Sequence, residues 1–533
     1  MKIGDLASLR LLPRALSGLR ETGLLRPLSP RAAVRFARDL RRTGATAAAL
    51  CHRAAARAPE RAAVIDDDGA LSWGELNRRV LALRAGLAGR YHLDHDASVA
   101  VLCRNHRGFV TTVWAAASLG ADILLLNTDF PAPQLAQVLE RHRVDALVCD
   151  QAFLPVLRDA GFAGVPVVAD APAPSGAESL DALIAAGFPE PGRARGRPRF
   201  TLLTSGTTGP PKGAPRSTPD PLSVLGPLAS LLERVPLETG ARVLVLPPLF
   251  HGFGFAFLIL AAALSGTVIL RRRFEAEQAR RDLAETGAEL AVGVPVMWQR
   301  ILDDAGEEPV RHRLRALISA AAPLPPALAE RMLRGFGPVV FNIYGASETG
   351  LVSIATPRDL HEAPGCVGSP LQGIRVALLN EQGEPVPAGE TGRLYIGSGM
   401  LFAGYTDGRA RDMRAGLMRS GDLARLDEQG RLWIEGRDDD MIVSGGENVY
   451  PQEVEDCLTR HDRVRDAAVL GVPDETFGQR LKAWVAADGV DEEALRAWIR
   501  ARLARHKMPR EFVFLDELPR NPTGKVDKKR LPG

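Results

Sequence analysis

Ten residues, Thr204 to Gly213, read Thr-Ser-Gly-Thr-Thr-Gly-Pro-Pro-Lys-Gly and hold four hydroxyls, three glycines and one lysine. Such a run grips a polyphosphate. Gly206 and Gly209 let the backbone turn and aim N–H groups at anionic oxygens, and the hydroxyls of Thr204, Ser205, Thr207 and Thr208 add donors. Lys212 brings a compact positive charge. A Walker A loop is excluded, because two prolines precede Lys212 and Gly213 stands where that motif needs Ser or Thr. The run follows the mainly apolar Phe200 to Leu203, as a loop leaving a strand does.

Only seven of the 67 basic residues are lysine, so this chain writes positive charge as arginine and its lysines are exceptions. Lys212 and Lys525 therefore suggest positions that want a flexible ammonium rather than a planar fork. The net charge of +3 excludes nucleic-acid binding by bulk electrostatics. The five cysteines are far apart and form no Cys-x-x-Cys pair, which fits a reducing, cytoplasmic setting better than a disulfide framework or a zinc site.

The elements that must position these groups alternate along the chain. A helical run from Trp73 to Arg90 and short apolar strands at Ser98–Leu102, Ile123–Leu126 and Ala146–Val148 read as α/β with a largely parallel sheet. Phe253 to Leu270 is 18 residues without a charge, long enough for a membrane span. Gly254, Gly266 and the turn-like Ser265-Gly266-Thr267 favour a core helix followed by a buried strand. After Pro385 to Gly392 the texture becomes β-rich, and a boundary falls near Gly436. Beyond it, Pro451–Leu458 and Glu492–Arg505 read as helices, and Ala467–Gly471 and Lys482–Ala486 as strands, giving a small α+β domain. The division expected is 1–45 as a basic helical extension, 46–435 as a large domain and 436–533 as a small one.

The extension is rich in Arg and Leu and is not expected to act as a secretory leader, because Arg10 breaks its apolar run Leu9 to Leu12. Two readings stand side by side. Its helices could lie on an anionic membrane surface as a peripheral contact, or form a cap docked on the large domain.

The order of motifs resembles the adenylate-forming (AMP-binding) superfamily, which includes acyl-CoA synthetases, aryl-CoA ligases, firefly luciferase and nonribosomal adenylation domains. Besides Thr204–Gly213 the resemblance rests on Ser319 to Pro326, Tyr344-Gly-Ala-Ser-Glu-Thr-Gly350, Ser420-Gly-Asp422, Gly436 to Ile442, Ser444 to Pro451 and Pro519-Arg-Asn-Pro-Thr-Gly-Lys525. It implies a large multi-sheet adenylating domain with a small mobile C-terminal one. It also implies two half-reactions: a carboxylate attacks the α-phosphate of ATP, then a thiol displaces AMP.

By this resemblance the catalytic groups are Lys525, Glu348, Thr204 and Lys212, with Glu348 holding Mg2+. Tyr344 and Gly345 lie against adenine, Ala321 and Ala322 cover its other face, Ser347 meets the α-phosphate, and Asp422 with Arg437 takes the ribose. Asp439 is the hinge, and Gly445 and Gly446 line a passage for coenzyme A. Two departures stand out: Ala320 follows Ser319 where the family usually has glycine, and Ser347 replaces the commoner threonine.

His251 occupies the place where amino-acid-activating relatives carry an aspartate, so an ammonium would be buried unpaired and amino acids are disfavoured. The remaining acid-pocket candidates, Phe253, Ala320 and Ile343, are apolar or aromatic and suit an alkyl or aryl chain. His251 itself reads equally as a gate, a carboxylate contact or a satisfied core histidine. With the basic extension, this leans toward a medium- or long-chain fatty acid with coenzyme A as acceptor. The alternative is an aryl or unusual acid passed to a carrier protein or a nitrogen nucleophile.

Overall fold

A computed structural model describes residues 12–195, 198–204, 212–216, 221–346, 348–399, 401, 412–438, 440, 442–444, 447–474 and 478–533. The fold is α/β, and the chain divides into two compact units: residues 1–293, 311–317 and 400–410 form one, and residues 294–310, 318–399 and 411–533 the other.

The first unit carries two sheets. One joins β1 (Ala62–Asp66) and β2 (Gly69–Ser72) to β10 (Arg242–Val245), β11 (Thr267–Ile269) and β12 (Leu290–Gly293) in the order β12-β10-β11-β1-β2. All pairs there are parallel except β1 with β2. The other holds β3 (Ser98–Leu102), β4 (Asp122–Leu125), β5 (Ala146–Cys149), β6 (Val167–Val168), β7 (Glu178–Ser179), β8 (Phe200–Thr204) and β9 (Lys212–Arg216) in the order β7-β6-β5-β3-β4-β8-β9. Every residue of β5 and all but the first residue of β3 are buried, which is why these segments read as unbroken apolar runs. The helix Trp73–Tyr91 starts where expected because Ser72 Oγ accepts from Glu75 N.

The uncharged stretch after Phe253 is a helix, Gly252–Ala263, followed by the buried strand β11. Its glycines are required by backbone packing: a Cβ at Gly254 would lie 2.4 Å from Pro248 O, and one at Gly266 would lie 2.3 Å from Ala241 O. Among the described residues no helix is long and apolar enough to cross a membrane.

Of the basic extension, residues 12–43 form the helices Leu12–Glu21 and Pro30–Thr43, and both dock on the first unit. Gly18 sits so close to Leu232 that a Cβ would lie 2.8 Å from that side chain. Asn77 Nδ2 donates to the buried Asp39 at 3.0 Å, and Arg35 Nη2 to Ala56 O at 2.7 Å. The cap reading describes the inner face of this segment.

The second unit is mostly antiparallel. β13 (Ala316–Ala320), β14 (Val340–Ala346), β15 (Gly350–Ala355) and β16 (Ser369–Pro370) are neighbours in that order. A five-stranded sheet orders β17 (Arg375–Leu379), β18 (Gly392–Gly397), β20 (Leu417–Leu426) and β19 (Met413–Arg414), with β21 (Leu432–Arg437) on the other side of β20. The last sheet runs β23-β22-β25-β24, from β22 (Ile442–Ser444), β23 (Glu447–Val449), β24 (Val464–Asp474) and β25 (Gly478–Ala487), with β26 (Glu511–Leu515) parallel to β25. Its core is Val449, Val454, Leu458, Val469, Leu481 and Val485, with Leu495 and Ile499 from the helix Glu492–Arg500. That helix ends five residues before its sequence pattern does. Arg502 and Leu503 both fold back to donate to Ile499 O, which turns Leu503 and Met508 onto the same core.

Candidate active site

The hydroxyl-rich run connects β8 to β9, whose register pairs Thr204 with Lys212 and Leu203 with Gly213. It leaves the carboxyl end of a strand in a parallel sheet, where α/β proteins hold their ligands. Ser205, Gly206, Thr207, Thr208 and Gly209 lie outside the described residues, and Thr204 and Lys212 are placed through their strands alone.

In the second unit, four stretches of sequence converge. Asp422 on β20 and Arg437 at the end of β21 are register partners, and Arg437 Nη1 donates to Asp422 Oδ1 at 3.2 Å. The Tyr344 hydroxyl, from β14, donates to the other oxygen, Oδ2. Ser420 Oγ accepts from Asp422 N at 3.0 Å and fixes the turn of the strand. Burial, then the Asp422 charge, push the Tyr344 phenol well above its ordinary value, so it is held as a neutral donor.

Gly345 follows at an irregularity in the β14–β15 pairing, and no other residue fits: its Cβ would lie 2.3 Å from Gly350 O. Glu348 is presented on the tip of this hairpin, a turn held by Thr349 Oγ1, which accepts from Ala346 N at 3.1 Å. Ser347 lies outside the described residues.

Lys525 arrives from the far C-terminus on a loop organised by Asn521. Asn521 Oδ1 accepts from Thr523 N at 3.0 Å, Thr523 Oγ1 at 2.7 Å and Lys525 N at 3.1 Å. Gly524 is left-handed at φ 80° and packs so tightly on Val294 that a Cβ would lie 2.5 Å from that side chain. Arg520 clasps the loop from behind, donating to Gly524 O and to Asp466, each at 2.5 Å.

Surrounding protein depresses the Lys525 pKa, Arg437 adds to the effect, and the carboxylates of Asp422 and Glu348 oppose it. Its side chain still meets solvent, so water screens these charges. Among the described residues its ammonium has no carboxylate partner, whereas Lys482, Lys507 and Lys528 close on Glu511, Glu453 and Asp440 at 2.5, 2.6 and 2.6 Å.

Asn521 organises the Lys525 loop, a part the sequence reading does not give it. An Asn before Pro-Thr-Gly is an Asx-turn signal, and it was legible. Arg393 and Arg419 were less so: both ion-pair with Asp438, one residue before the expected hinge. Asp439, Gly445 and Gly446 lie outside the described residues.

The acid-pocket candidates divide between the units. In the first, His251 caps the helix Gly252–Ala263, its Nδ1 accepting from Phe253 N at 3.5 Å, and Phe253 packs edge-on against Phe257 with centroids 5.4 Å apart. In the second, Ala320 is buried at the end of β13 and Ile343 is half-buried on β14. Ala321 takes a left-handed φ of 68°, a conformation unusual outside glycine, and turns the chain out of β13 with Ala322 half-exposed.

As for Mg2+, Glu348 belongs to neither cluster of three possible ligands found among the described residues, Cys103–His106–Asp150 and Asp94–His95–Asp96. A single carboxylate on a hairpin tip fits a magnesium ion whose other ligands are water and substrate phosphates. The buried Cys103 cluster is a helix cap. His106 Nδ1 accepts from Gly108 N at 3.0 Å and Nε2 donates to Asp150 at 2.7 Å, leaving no ring nitrogen for a metal.

A profile of AMP-binding enzymes matches residues 51–406, and one of the AMP-binding enzyme C-terminal domain matches residues 453–525. The chain belongs to the AMP-binding, adenylate-forming enzyme superfamily, in its acyl-CoA ligase family. It is 32% identical to a sulfoacetate–CoA ligase of Cupriavidus necator, over 91% of this chain and 97% of that one. It is 33% identical to a feruloyl-CoA synthase of an Amycolatopsis species, over 89% and 96%. Among solved structures, the o-succinylbenzoate CoA synthetase of Bacillus subtilis, in complex with its acyl-adenylate intermediate, is similar with a TM-score of 0.79 and 26% identity, covering 91% of this chain and 98% of that one.

Proposed function

We propose that this chain is an AMP-forming acid–CoA ligase acting on an aryl or other compact carboxylic acid. The observation that carries the reading is the convergence of Tyr344, Glu348, Asp422, Arg437 and Lys525 from separate stretches of one unit. A carboxylate oxygen attacks the α-phosphorus of ATP, the bond to the β-phosphate breaks, and pyrophosphate leaves. The sulfur of coenzyme A then attacks the acyl carbon, the bond to AMP breaks, and the thiol proton passes to solvent.

Each residue has a part in this reading. Lys525 offsets charge developing on the α-phosphate, and Thr204 to Gly209 with Lys212 hold the leaving pyrophosphate. Asp422 and Arg437 take the ribose, Tyr344, Gly345, Ala321 and Ala322 enclose adenine, and Ser347 contacts the α-phosphate. Glu348 would hold Mg2+, which supplies charge neutralisation to the phosphates when bound. Asp439 serves as hinge, Gly445 and Gly446 admit the pantetheine arm, and residues 436–533 move as a small domain. A cytoplasmic setting suits five cysteines that are all free and buried.

The fatty-acid leaning of the sequence gives way here to aryl and compact acids, because the named relatives act on sulfoacetate, ferulate and o-succinylbenzoate. The test is pyrophosphate release across aryl, small and fatty acids, with and without coenzyme A. Release with an aryl or small acid and AMP formation that needs coenzyme A are expected. Preference for fatty acids would overturn the acid, turnover indifferent to coenzyme A would overturn the acceptor, and no acid-dependent release would overturn the activity.

A further inference from the structure

The helices Leu12–Glu21 and Pro30–Thr43 precede the segment matched by the AMP-binding profile, and their inner faces are spent on docking. Their outer faces have a different chemistry. Leu12, Leu16, Leu25 and Val34 are 37, 44, 49 and 70% exposed, four of the seven large apolar side chains so exposed among the described residues. Arg14, Arg20, Arg26, Arg31, Arg38 and Arg41 are exposed with them. Against these stand two acids: Asp39 is buried, accepting from Asn77 and pairing with Arg38 at 3.4 Å, and Glu21 accepts from Ser17 at 2.9 Å. Leu25 and Arg26 lie in the short connector, so the exposed apolar and basic residues continue from one helix into the next.

We infer that this outer face is a peripheral docking surface for an anionic lipid bilayer. Arginines alone would serve any polyanion, but leucines and valine between them have no partner on a phosphate backbone. At a bilayer they enter the acyl boundary while the guanidinium groups meet lipid phosphates. Nucleic acid held without sequence preference calls instead for exposed aromatic rings, and this face exposes none. The inference does not depend on which acid the enzyme activates.

The full chain is sedimented with vesicles of phosphatidylcholine alone or mixed with phosphatidylglycerol. Binding to the anionic vesicles only, released by salt, is expected. Arg20→Glu/Arg31→Glu/Arg41→Glu should weaken it at least about a hundredfold, taking a roughly fivefold loss for each arginine removed from the surface. Leu16→Ser/Val34→Ser should weaken it severalfold at every salt concentration, which a purely electrostatic contact would not show. Both variants should keep the melting temperature and acid-dependent pyrophosphate release of the parent, which guards against misfolding. Equal binding to neutral vesicles, no binding to either, or arginine-dependent binding to RNA with vesicles ignored would each overturn the inference.

Discussion

Lys525 and the outward arginines of residues 12–43 are both cations held at a surface, but they are held in opposite ways. Lys525 is one ammonium on a loop whose backbone is fixed by three hydrogen bonds to Asn521 and by a glycine packed against Val294. The arginines are many, on helices that dock through their inner faces, and most of the outward ones are spread over a surface rather than gathered on one loop. A charge that must meet one reacting atom requires a rigid support, since a displacement of about 1 Å can cost a hundredfold in rate. Charges that meet an extended surface need number and apolar neighbours instead.

The largest effect should come from Lys525→Ala, expected to slow acid-dependent pyrophosphate release about a thousandfold, the cost of losing one oriented charge from a phosphoryl transition state. Thioester formation from a synthetic acyl-adenylate and coenzyme A should change little, because the proposed domain movement withdraws this lysine from the second step. Equal losses in both steps would remove that division of labour. Lys525→Arg sharpens the contrast: charge is kept but the compact ammonium is not, and we expect about a hundredfold loss, measured the same way.

Asn521→Ala leaves every charge in place and removes the support. We expect kcat to fall roughly ten- to a hundredfold with KM for ATP nearly unchanged, and Asn521→Asp, which keeps the acceptor oxygen, to recover much of it. A loss confined to KM would mean that the loop binds nucleotide rather than aiming Lys525.

The smallest effect concerns the scaffold behind the loop. Burial raises the Glu455 carboxyl, on the helix Pro451–Thr459, to about 7 and the neighbouring Asp456 to about 6. A folded-state pKa above the unfolded one means that the native state binds the extra proton, so stability falls as pH rises from about 4.5 through 7. Glu455→Gln keeps the acceptor for Val469 N, which lies 2.8 Å from Glu455 Oε1. Hydrogen exchange of this helix should show the variant level with the parent near pH 5 and more stable by about 1 kcal/mol near pH 8, the partly solvated carboxyl giving less than its full shift. A gap that widens toward acid would reverse the sign.

Much of the scaffold was legible because local rules and tertiary packing agree there. β3 has the bounds its apolar run suggested, the uncharged stretch after Phe253 became a helix and a buried strand, and the C-terminal α+β pattern appeared with its strands lengthened by pairing. The end of the helix Glu492–Arg500 was misread because amphipathic spacing continues past the point where the core draws Leu503 inward. The support of the site was harder to see: Arg393 and Arg419 lie far from Asp438 in sequence, and only the pairing of β18, β20 and β21 brings them together.

By itself the sequence determined the chemistry: a hydroxyl- and glycine-rich loop, rare lysines, and an ordered set of motifs whose residue types suit phosphate, ribose and adenine. Tertiary structure decided which of those residues meet, how Lys525 is aimed, and which face of the N-terminal extension remains outward. Residue types and spacing fix what a side chain can do, whereas the contacts among residues 344, 422 and 437, and the charge of residue 525 felt beside them, depend on strand register and loop closure. Those are properties of the folded chain, not of any local stretch of it.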